Sequence, residues 1–324
     1  MTTTPTPGTQ TTGRESARPR PAPTKPRRRF SLLSPRDKTV LALMVTIPAV
    51  FVIGLVWLPA LATVLLSFTS WNAVGPISDI QFVGVQNYVD IATIYPPFIP
   101  AIQNNLLLLA VFFFIATPLG MLLAVMLDRE LKGSAIYQSS FFLPVVLSLA
   151  LIGFIWQLIY SRDQGLLNAV LGLDGTDRID WFGDADINFS AVLVAASWRH
   201  IGYIMLLYLA GLKAVDPALR EAAAIDGASE SRTFFSIVFP AMRPINIVVF
   251  VITVIEALRF FDIVWVINRG RNGLELLSAL VVSNVVGEAS RIGFGSAIAS
   301  IMLLISIVFI IAYMVSLYRE EDAS

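Results

Sequence analysis

The residues best suited to chemistry lie in an apolar stretch around position 256. Glu256, Arg259 and Asp262 follow one another at intervals of three, so on a helix both acids can reach the arginine from one broad face. Ionisable groups within apolar spans are costly and are functional suspects for that reason. The spacing predicts either a polar lining for a ligand pathway or a self-neutralised structural network, and both interpretations stay open.

Two other apolar stretches carry aromatic and hydrogen-bonding side chains at overlapping predicted depths. Trp156 and Gln157 end one of them, and Trp198, Arg199 and Tyr203 lie near the middle of the other. Flat rings stack on the C–H faces of a polyhydroxylated ligand, while polar groups bind its hydroxyls. The predicted substrate pathway consists of Trp156, Gln157, Trp198, Arg199, Tyr203, Glu256, Arg259, Phe261 and Asp262.

The composition excludes several other kinds of chemistry. The 324 residues are 56% hydrophobic and 14% charged, against about 25% charged in soluble domains, so an integral membrane protein is expected. Without cysteine there is no disulfide, thiolate metal site or cysteine nucleophile. His200, the single histidine, cannot form a multi-histidine zinc centre and is expected to be a packing residue. Equal numbers of acidic and basic residues give no reason to expect nucleic acid as a partner.

Six segments are long and apolar enough to span a bilayer, and they predict an all-α fold. The connecting segments on one side carry most of the Lys and Arg, which places both termini in the cytoplasm. Residues 1–38, rich in Thr, Pro and Arg, are predicted to be a disordered basic tail. The six-helix domain is expected at 39–318 and a short cytoplasmic C-terminus at 319–324. The predicted spans are 40–69, 104–127, 137–160, 190–214, 245–268 and 296–317.

A polar island, residues 215–244, separates the fourth and fifth predicted spans on the cytoplasmic side. Asp216-Pro217 is a strong helix start, and Gly227 can end that helix in the left-handed conformation. Ser229 can begin a second helix, which Pro240 and Pro244 are expected to close. The pattern predicts a helix-turn-helix that either docks onto a partner or lies in the headgroups.

The island resembles the EAA loop of permease subunits of binding-protein-dependent ABC importers, in the variant of the maltose and glycerol-3-phosphate transporters. The matching residues are Glu221, Ala222, Ala223, Asp226, Gly227, Ala228, Phe234, Ile237, Pro240 and Pro244. Three shorter matches support the resemblance. They are the F-x-G-x-x-N-Y element at 82–88, the YLAGLK stretch at 208–213 and Phe261-Asp262. One departure is the segment 268–273, which lacks the family's T-x-G-G-P element.

The resemblance implies a transport subunit of the bacterial inner membrane rather than an enzyme. Its expected partners are a second permease, two cytosolic ABC ATPases and an extracytoplasmic solute-binding protein. ATP and Mg would bind those ATPases, since this chain has no phosphate-binding G-x-x-x-x-G-K-[ST] motif. Within the loop, Glu221 is expected to meet a basic ATPase residue and Gly227 to set the turn, while Ala222 and Ala223 allow close approach.

The expected cargo is a sugar or oligosaccharide, with an anionic glycerophosphate as the alternative. Two other classes of function compete with the importer. A lipid-modifying membrane enzyme would have to rely on carboxylates, of which the best cluster lies in the loop 161–189. An ion-driven transporter or channel could use Glu256, Arg259 and Asp262. Only the importer needs an ATPase partner, so ATPase association separates these hypotheses.

Overall fold

The regular secondary structure is helical in the residues that the computed structural model describes, which are 2, 4, 34–72, 76, 78, 80–129, 133–287 and 290–322. Within them, the isolated bridge between Thr69 and Phe82 is the one β pairing. The chain forms two compact units, residues 1–56 and residues 57–324. The predicted tail up to residue 33, apart from residues 2 and 4, lies outside the described residues, as do residues 323–324 of the predicted C-terminus.

The helices are, in chain order, α1 (Pro35–Val52), α2 (Leu58–Leu66), α3 (Gln86–Thr93), α4 (Phe98–Val111), α5 (Thr117–Asp128), α6 (Ser134–Val146), α7 (Leu149–Ile159), α8 (Leu166–Val170), α9 (Asn188–Ala214), α10 (Pro217–Ile225), α11 (Glu230–Thr233), α12 (Phe239–Ala241), α13 (Arg243–Arg259), α14 (Asp262–Asn268), α15 (Leu277–Val285) and α16 (Ile292–Asp322). Three π-helical segments, Ile53–Trp57, Phe112–Ala116 and Phe234–Val238, continue α1, α4 and α11. A 3₁₀ turn covers Gly175–Asp177.

Four continuous helices of the described chain are long and apolar enough to cross a membrane. They correspond to the first, second, fourth and sixth predicted spans. A fifth candidate arises if the bent pair α6 and α7 is counted as one span. The all-helical architecture is therefore confirmed for the described residues, while the count of six spans and the cytoplasmic termini stay predictions. The four helices run over Arg36–Leu66, Phe98–Asp128, Asn188–Ala214 and Ile292–Val315.

The third predicted span is not one straight helix, because α6 and α7 meet at an angle of 102°. Leu147 and Ser148 are extended, and the Ser148 hydroxyl accepts a hydrogen bond from the Leu151 amide at 3.2 Å. That side chain therefore begins a new helix, as a serine at the N-cap position commonly does. Pro144 lies in the last turn of α6 and cannot donate to the Ser140 carbonyl, which weakens the end of that helix.

The fifth predicted span is also interrupted, between α13 and α14. Phe260 takes an extended conformation there, and the carbonyls at the end of α13 lose their helical partners. Asn105 of α4 donates its side-chain amide to the Ala257 carbonyl at 2.9 Å, and Ser278 of α15 donates its hydroxyl to the Phe260 carbonyl. The break is therefore stabilised by polar side chains from two other helices, as unpaired backbone groups in a membrane interior require.

Each π-helical segment ends two residues before a proline, Pro59, Pro118 or Pro240. A proline within a helix has no amide proton and its ring collides with the carbonyl four residues earlier. A π turn widens the helix by one residue and removes that collision, so the chain stays helical through all three prolines. The second helix of the island ends at Ala241, directly after Pro240, and Pro244 lies in the first turn of α13, so this helix closes between the two prolines as expected.

The F-x-G-x-x-N-Y element holds α3 against the end of α2. The Asn87 side chain donates to the carbonyls of Ser67 and Thr69, both at 2.8 Å, and the Tyr88 hydroxyl lies 2.7 Å from the Ser67 hydroxyl. Gly84 has a φ of 60°, which glycine adopts at little cost. These residues therefore act in folding the segment that follows α2.

Helices α5 and α9 pack at very short range, and glycine makes this possible. A Cβ built on Gly120 of α5 would lie 2.9 Å from the Ile201 carbonyl oxygen and 2.9 Å from Ile204 side-chain carbons, both on α9. Contacts this short require some atoms to move apart. The two helices therefore form one tightly joined pair.

We expect Gly120→Ala to destabilise the chain by about 1–3 kcal/mol, the usual cost of overpacking. Gly54→Ala is the matched control, because a Cβ at helical Gly54 meets no atom within 4 Å and alanine is the better helix former. Thermal unfolding of the purified protein in detergent measures both. Equal melting temperatures for the two variants would contradict the close packing.

Candidate functional site

The polar island folds into two helices joined by a tight turn. The Asp216 carboxylate accepts from the Ala218 amide at 2.9 Å and begins α10, and Gly227, with a φ of 75°, ends it. The Ala228 amide donates to the Ala223 carbonyl at 3.0 Å, which closes the helix end. The Ser229 hydroxyl then accepts from the Arg232 amide at 3.3 Å and begins α11. The start and end signals predicted for these two helices are confirmed.

One face of α10 is uncovered and carries two of the six predicted coupling residues, Glu221 and Ala222. Ala218, Glu221, Ala222 and Ile225 share this face at helical spacing and are all exposed. Ile225, the last residue of α10, is 87% exposed and adds a large apolar side chain to this face. Such a face suits contact with another protein.

The remaining coupling residues have different surroundings. Asp226 and Gly227 are exposed in the turn, Ala228 is half-buried, and Ala223 is only 3% exposed because it faces its own chain. The close approach to a partner expected of Ala222 and Ala223 therefore fits Ala222 alone. Ala223 packs within this chain and supports the loop from inside.

A charged cluster lies between α9 and α13. Glu256 accepts from Arg199 Nη1 at 3.2 Å with one oxygen, and its other oxygen lies 2.9 Å from His200 Nδ1. His200 is 1% exposed, stacks on Phe112 with ring centroids 4.1 Å apart, and lies 3.4 Å from the Thr253 hydroxyl. Glu256 is thus fixed by two residues of a neighbouring helix.

The expected pairing of Arg259 with Glu256 and Asp262 was wrong. Arg259 is exposed and makes no ion pair with any residue that the structure describes. The physical reason is the break after Arg259, which takes Asp262 off the face of α13 and places it in the first turn of α14. Glu256 instead turns to Arg199, which the sequence placed on a different helix.

These groups line a cavity of about 250 Å³ at the break. Arg199, Glu256, Arg259 and Asp262 all reach it, so four of the predicted pathway residues are brought together. Two cationic and two anionic side chains balance the charge of its wall. The other lining residues are Phe112, Leu149, Ala196, Ile255 and Phe260.

The predicted aromatic residues lie apart from the cavity wall. Trp156 packs edge-on against Trp198 at 5.9 Å, and Gln157 donates to the Val266 carbonyl at 3.1 Å, joining α7 to α14. Phe261 stacks on Trp265 at 5.0 Å. Tyr203 is half-buried on α9 and does not reach the cavity. In the described structure these five residues support the elements around the cavity instead of lining it.

One buried donor of the cavity wall, the Arg199 Nε–H, has no hydrogen-bond partner among the described residues. Buried donors are nearly always paired in folded proteins, so this group is a candidate for contact with a ligand oxygen.

Three important residues were not predicted for the cavity, namely Phe112, Phe260 and His200. The sequence suggested packing for His200, and it does pack, but it also holds the Glu256 carboxylate. Phe112 begins a π-helical segment and Phe260 lies at the helix break. The sequence signal nearest to Phe112 is Pro118, because a proline within a helix favours an irregularity in the preceding turn.

The segment that departs from the T-x-G-G-P element is a tight turn. Arg269, Gly270, Asn272 and Gly273 all have positive φ. A Cβ on Gly273 would lie 2.8 Å from the Ala185 carbonyl oxygen, and Asn188 donates to the Asn272 carbonyl. The turn is therefore packed against the start of α9 despite its different sequence.

Curated relatives cover most of this chain. It is 31% identical over 281 residues to a probable ABC transporter permease of Pyrococcus horikoshii. The matched region covers 85% of this chain and 95% of the relative. It is 30% identical to the trehalose/maltose transport system permease of Thermococcus litoralis, over 86% of this chain and 92% of the relative. It is 32% identical to the diacetylchitobiose uptake permease of Streptomyces coelicolor, over 91% of this chain and 86% of the relative.

The fold is shared with a bacterial ABC transporter involved in the import of the acidic polysaccharide alginate. The match has a TM-score of 0.73 at 21% identity and covers 88% of this chain and 96% of that one. Residues 86–319 match the sequence pattern of one family, described as the inner membrane component of binding-protein-dependent transport systems. This chain belongs to the family of binding-protein-dependent transport system inner membrane components.

Proposed function

We propose that this chain is the membrane-spanning subunit of an ATP-driven importer that moves a sugar or oligosaccharide into the cell by alternating access. The observation that carries the proposal is the helix-turn-helix of α10 and α11, whose uncovered face has the shape and apolar character of a docking element. ATP hydrolysis would take place on two partner ATPases, which bind the nucleotide and its Mg. A second permease would complete the pathway, and an extracytoplasmic binding protein would deliver the substrate.

The cavity favours a neutral, hydroxyl-rich ligand. Its wall combines balanced charges with the aromatic rings of Phe112 and Phe260, the combination that suits sugar hydroxyls and C–H faces. At about 250 Å³ it is smaller than the roughly 300–1,000 Å³ of pockets for drug-sized ligands, so it suits one sugar ring at a time. A glycerophosphate is less favoured, because Glu256 already neutralises Arg199.

The relatives support a sugar as the cargo. Among them are permeases named for xylose and arabinose import in Haloferax volcanii, for trehalose and maltose, and for diacetylchitobiose. We propose an inner-membrane location with six spans and both termini in the cytoplasm. The domains proposed are the tail 1–38, the spanning domain 39–318 with its coupling loop 215–244, and the end 319–324.

The test is to purify the tagged chain from its native membrane and identify what accompanies it by mass spectrometry. We expect a second permease, an ABC ATPase and a solute-binding protein. The ATPase activity of the complex should rise with the binding protein and one sugar from a panel of xylose, arabinose, maltose, trehalose and diacetylchitobiose. Isolation of a lone chain, under conditions that preserve a known importer complex, would instead favour an ion-driven transporter or channel.

A further inference from the structure

Two ion pairs connect the cytoplasmic loop to the end of α5. Arg220 of α10 donates to the Asp128 carboxylate at 2.8 Å, and Arg129 donates to Glu230 of α11 at 2.6 Å. Asp128 is the last residue of α5 and Arg129 follows it in an extended conformation. Each half of the loop is thus tied to the same helix end.

The two pairs differ greatly in their surroundings. The Asp128 side chain is 15% exposed and Arg220 is 39% exposed, whereas Arg129 and Glu230 are 62% and 81% exposed. Exposed ion pairs contribute little, because water and salt screen them. A largely buried carboxylate depends on its partner, since removal of that partner leaves a charge uncompensated. The Asp128–Arg220 pair is therefore the stronger connection.

Between the two pairs lies a groove of about 600 Å³ with an apolar wall that includes Leu122, Val125 and Phe235. The groove separates part of the loop from α5, while Val238 and Met242 of the loop belong to the same buried apolar cluster as Ala124 of α5. The ion pairs lie on its rim. They bridge a space that the helices themselves leave open.

The connection from α9 to α10 is extended and can bend. Val215 and Asp216 have extended backbone angles, with ψ of 132° and 122°. A helix attached through two such residues can turn about them when it is pushed. The Asp128–Arg220 pair opposes that rotation, because it fixes α10 to a second helix one turn further along.

Helices α5 and α9 move as one pair because of their contact at Gly120. Helix α9 carries Arg199 and His200, and Phe112 lies in the π-helical segment that precedes α5. A displacement of α10 that reaches α5 would therefore reach the residues that hold Glu256. The same displacement without the ion pair would be lost in bending at Val215 and Asp216.

We propose that Arg220 and Asp128 are positioning residues for ATP coupling, which brace α10 so that its movement is transmitted to the α5 and α9 pair. This inference rests on the proposed function. The two residues contact neither substrate nor nucleotide in this role. They set the angle of the docking helix.

The absence of cysteine allows a direct measurement of distances in the assembled complex. Spin labels at Met126→Cys and Leu219→Cys, the latter off the docking face, report the position of α10 relative to α5. Labels at Val194→Cys and Leu303→Cys report the movement of α9 relative to α16. All four positions are exposed. Distances are measured in the full complex, with cysteine-free partner subunits, before and after trapping with Mg-ATP and vanadate.

In the otherwise unchanged complex, trapping should shift the α9 distance. Arg220→Ala should broaden the α10 distribution, reduce the α9 shift to less than half, and lower coupled ATPase activity roughly tenfold, within the range of ordinary coupling energies. Two variants should restore both distances. One is Arg220→Lys, which keeps the positive charge, and the other is the double variant Asp128→Arg with Arg220→Asp, which reverses the ion pair. Arg129→Gln is the matched control, since it breaks the exposed pair, and it should change neither.

The outcomes separate the two proposals. An α9 shift in the unchanged complex that persists in full in Arg220→Ala would overturn the brace alone, as would an equal loss in Arg129→Gln. A charge-reversed double variant that assembles normally but does not recover the α9 shift would also overturn the proposed brace. The absence of any α9 shift in the unchanged, ATP-trapped complex would overturn the proposed function, and the brace with it.

Discussion

Gly227→Val should uncouple transport while leaving the complex assembled. Gly227 has a φ of 75°, and a side chain added there meets no atom within 4 Å, so only the backbone conformation opposes the substitution. A left-handed conformation costs a side chain about 1–2 kcal/mol and is worst for β-branched residues. A cost of that size reduces the fraction of correctly turned loops about five- to thirtyfold. Uptake and substrate-stimulated ATPase activity should fall by a similar factor.

The matched control at this position is Gly227→Asn. Asparagine fills the same open space but adopts left-handed angles more readily than other non-glycine residues. We expect it to retain most of the coupled activity, with normal recovery of the complex in both variants. Equal activity for the valine and asparagine variants would show that the turn geometry does not matter for coupling.

Glu256→Gln should nearly abolish uptake in vesicles although its shape is conserved. Glu256 is 26% exposed and binds both Arg199 and His200. Neutralising it leaves the Arg199 cation unpaired within the membrane domain, and breaking a buried ion pair costs about 3–5 kcal/mol. Partial exposure reduces that figure to about 2–3 kcal/mol, which corresponds to a loss of roughly a hundredfold. Asp262→Asn removes a charge from the same cavity without breaking an ion pair among the described residues, so it separates the loss of the pair from the loss of cavity charge.

A double variant decides between the two interpretations of this cluster. Arg199→Gln with Glu256→Gln removes both charges, so no ion is left without its partner. If the cluster is a structural network, stability and uptake should both recover. If it binds substrate, stability should recover while uptake stays low, because the ligand has lost its charged partners. Thermal unfolding and uptake kinetics, measured on the same preparations, give the two quantities.

Local chemistry made the helix-turn-helix of α10 and α11 predictable from the sequence. Asp216, Gly227 and Ser229 each act within a few residues of their own position, through a cap or a turn, and each has the predicted role. Contacts between helices cannot be predicted in this way, because they depend on residues that are distant in the sequence. Ala223 is identical in type to Ala222, yet one is buried and the other exposed, because the core side of α10 depends on its neighbours.

The sequence predicted which charged residues line the cavity, but it did not predict which of them form ion pairs. Four of its residues follow from the rule that ions within apolar spans face inward. Their partners did not follow, since spacing along one helix favoured Arg259 while the fold brought Arg199 and His200 to Glu256. The break at Phe260 has no proline or glycine to mark it. It depends on Asn105 and Ser278, which lie far away in the sequence.

The break between α13 and α14 also constrains how the protein is made. Asn105, the partner of the Ala257 carbonyl, is synthesised before α13, whereas Ser278, the partner of the Phe260 carbonyl, is synthesised after it. An unpaired carbonyl costs several kcal/mol in hydrocarbon. During elongation the Phe260 carbonyl must therefore remain near water or find a temporary partner until α15 emerges. The cavity wall is accordingly among the last parts of the membrane domain to be completed at biosynthesis.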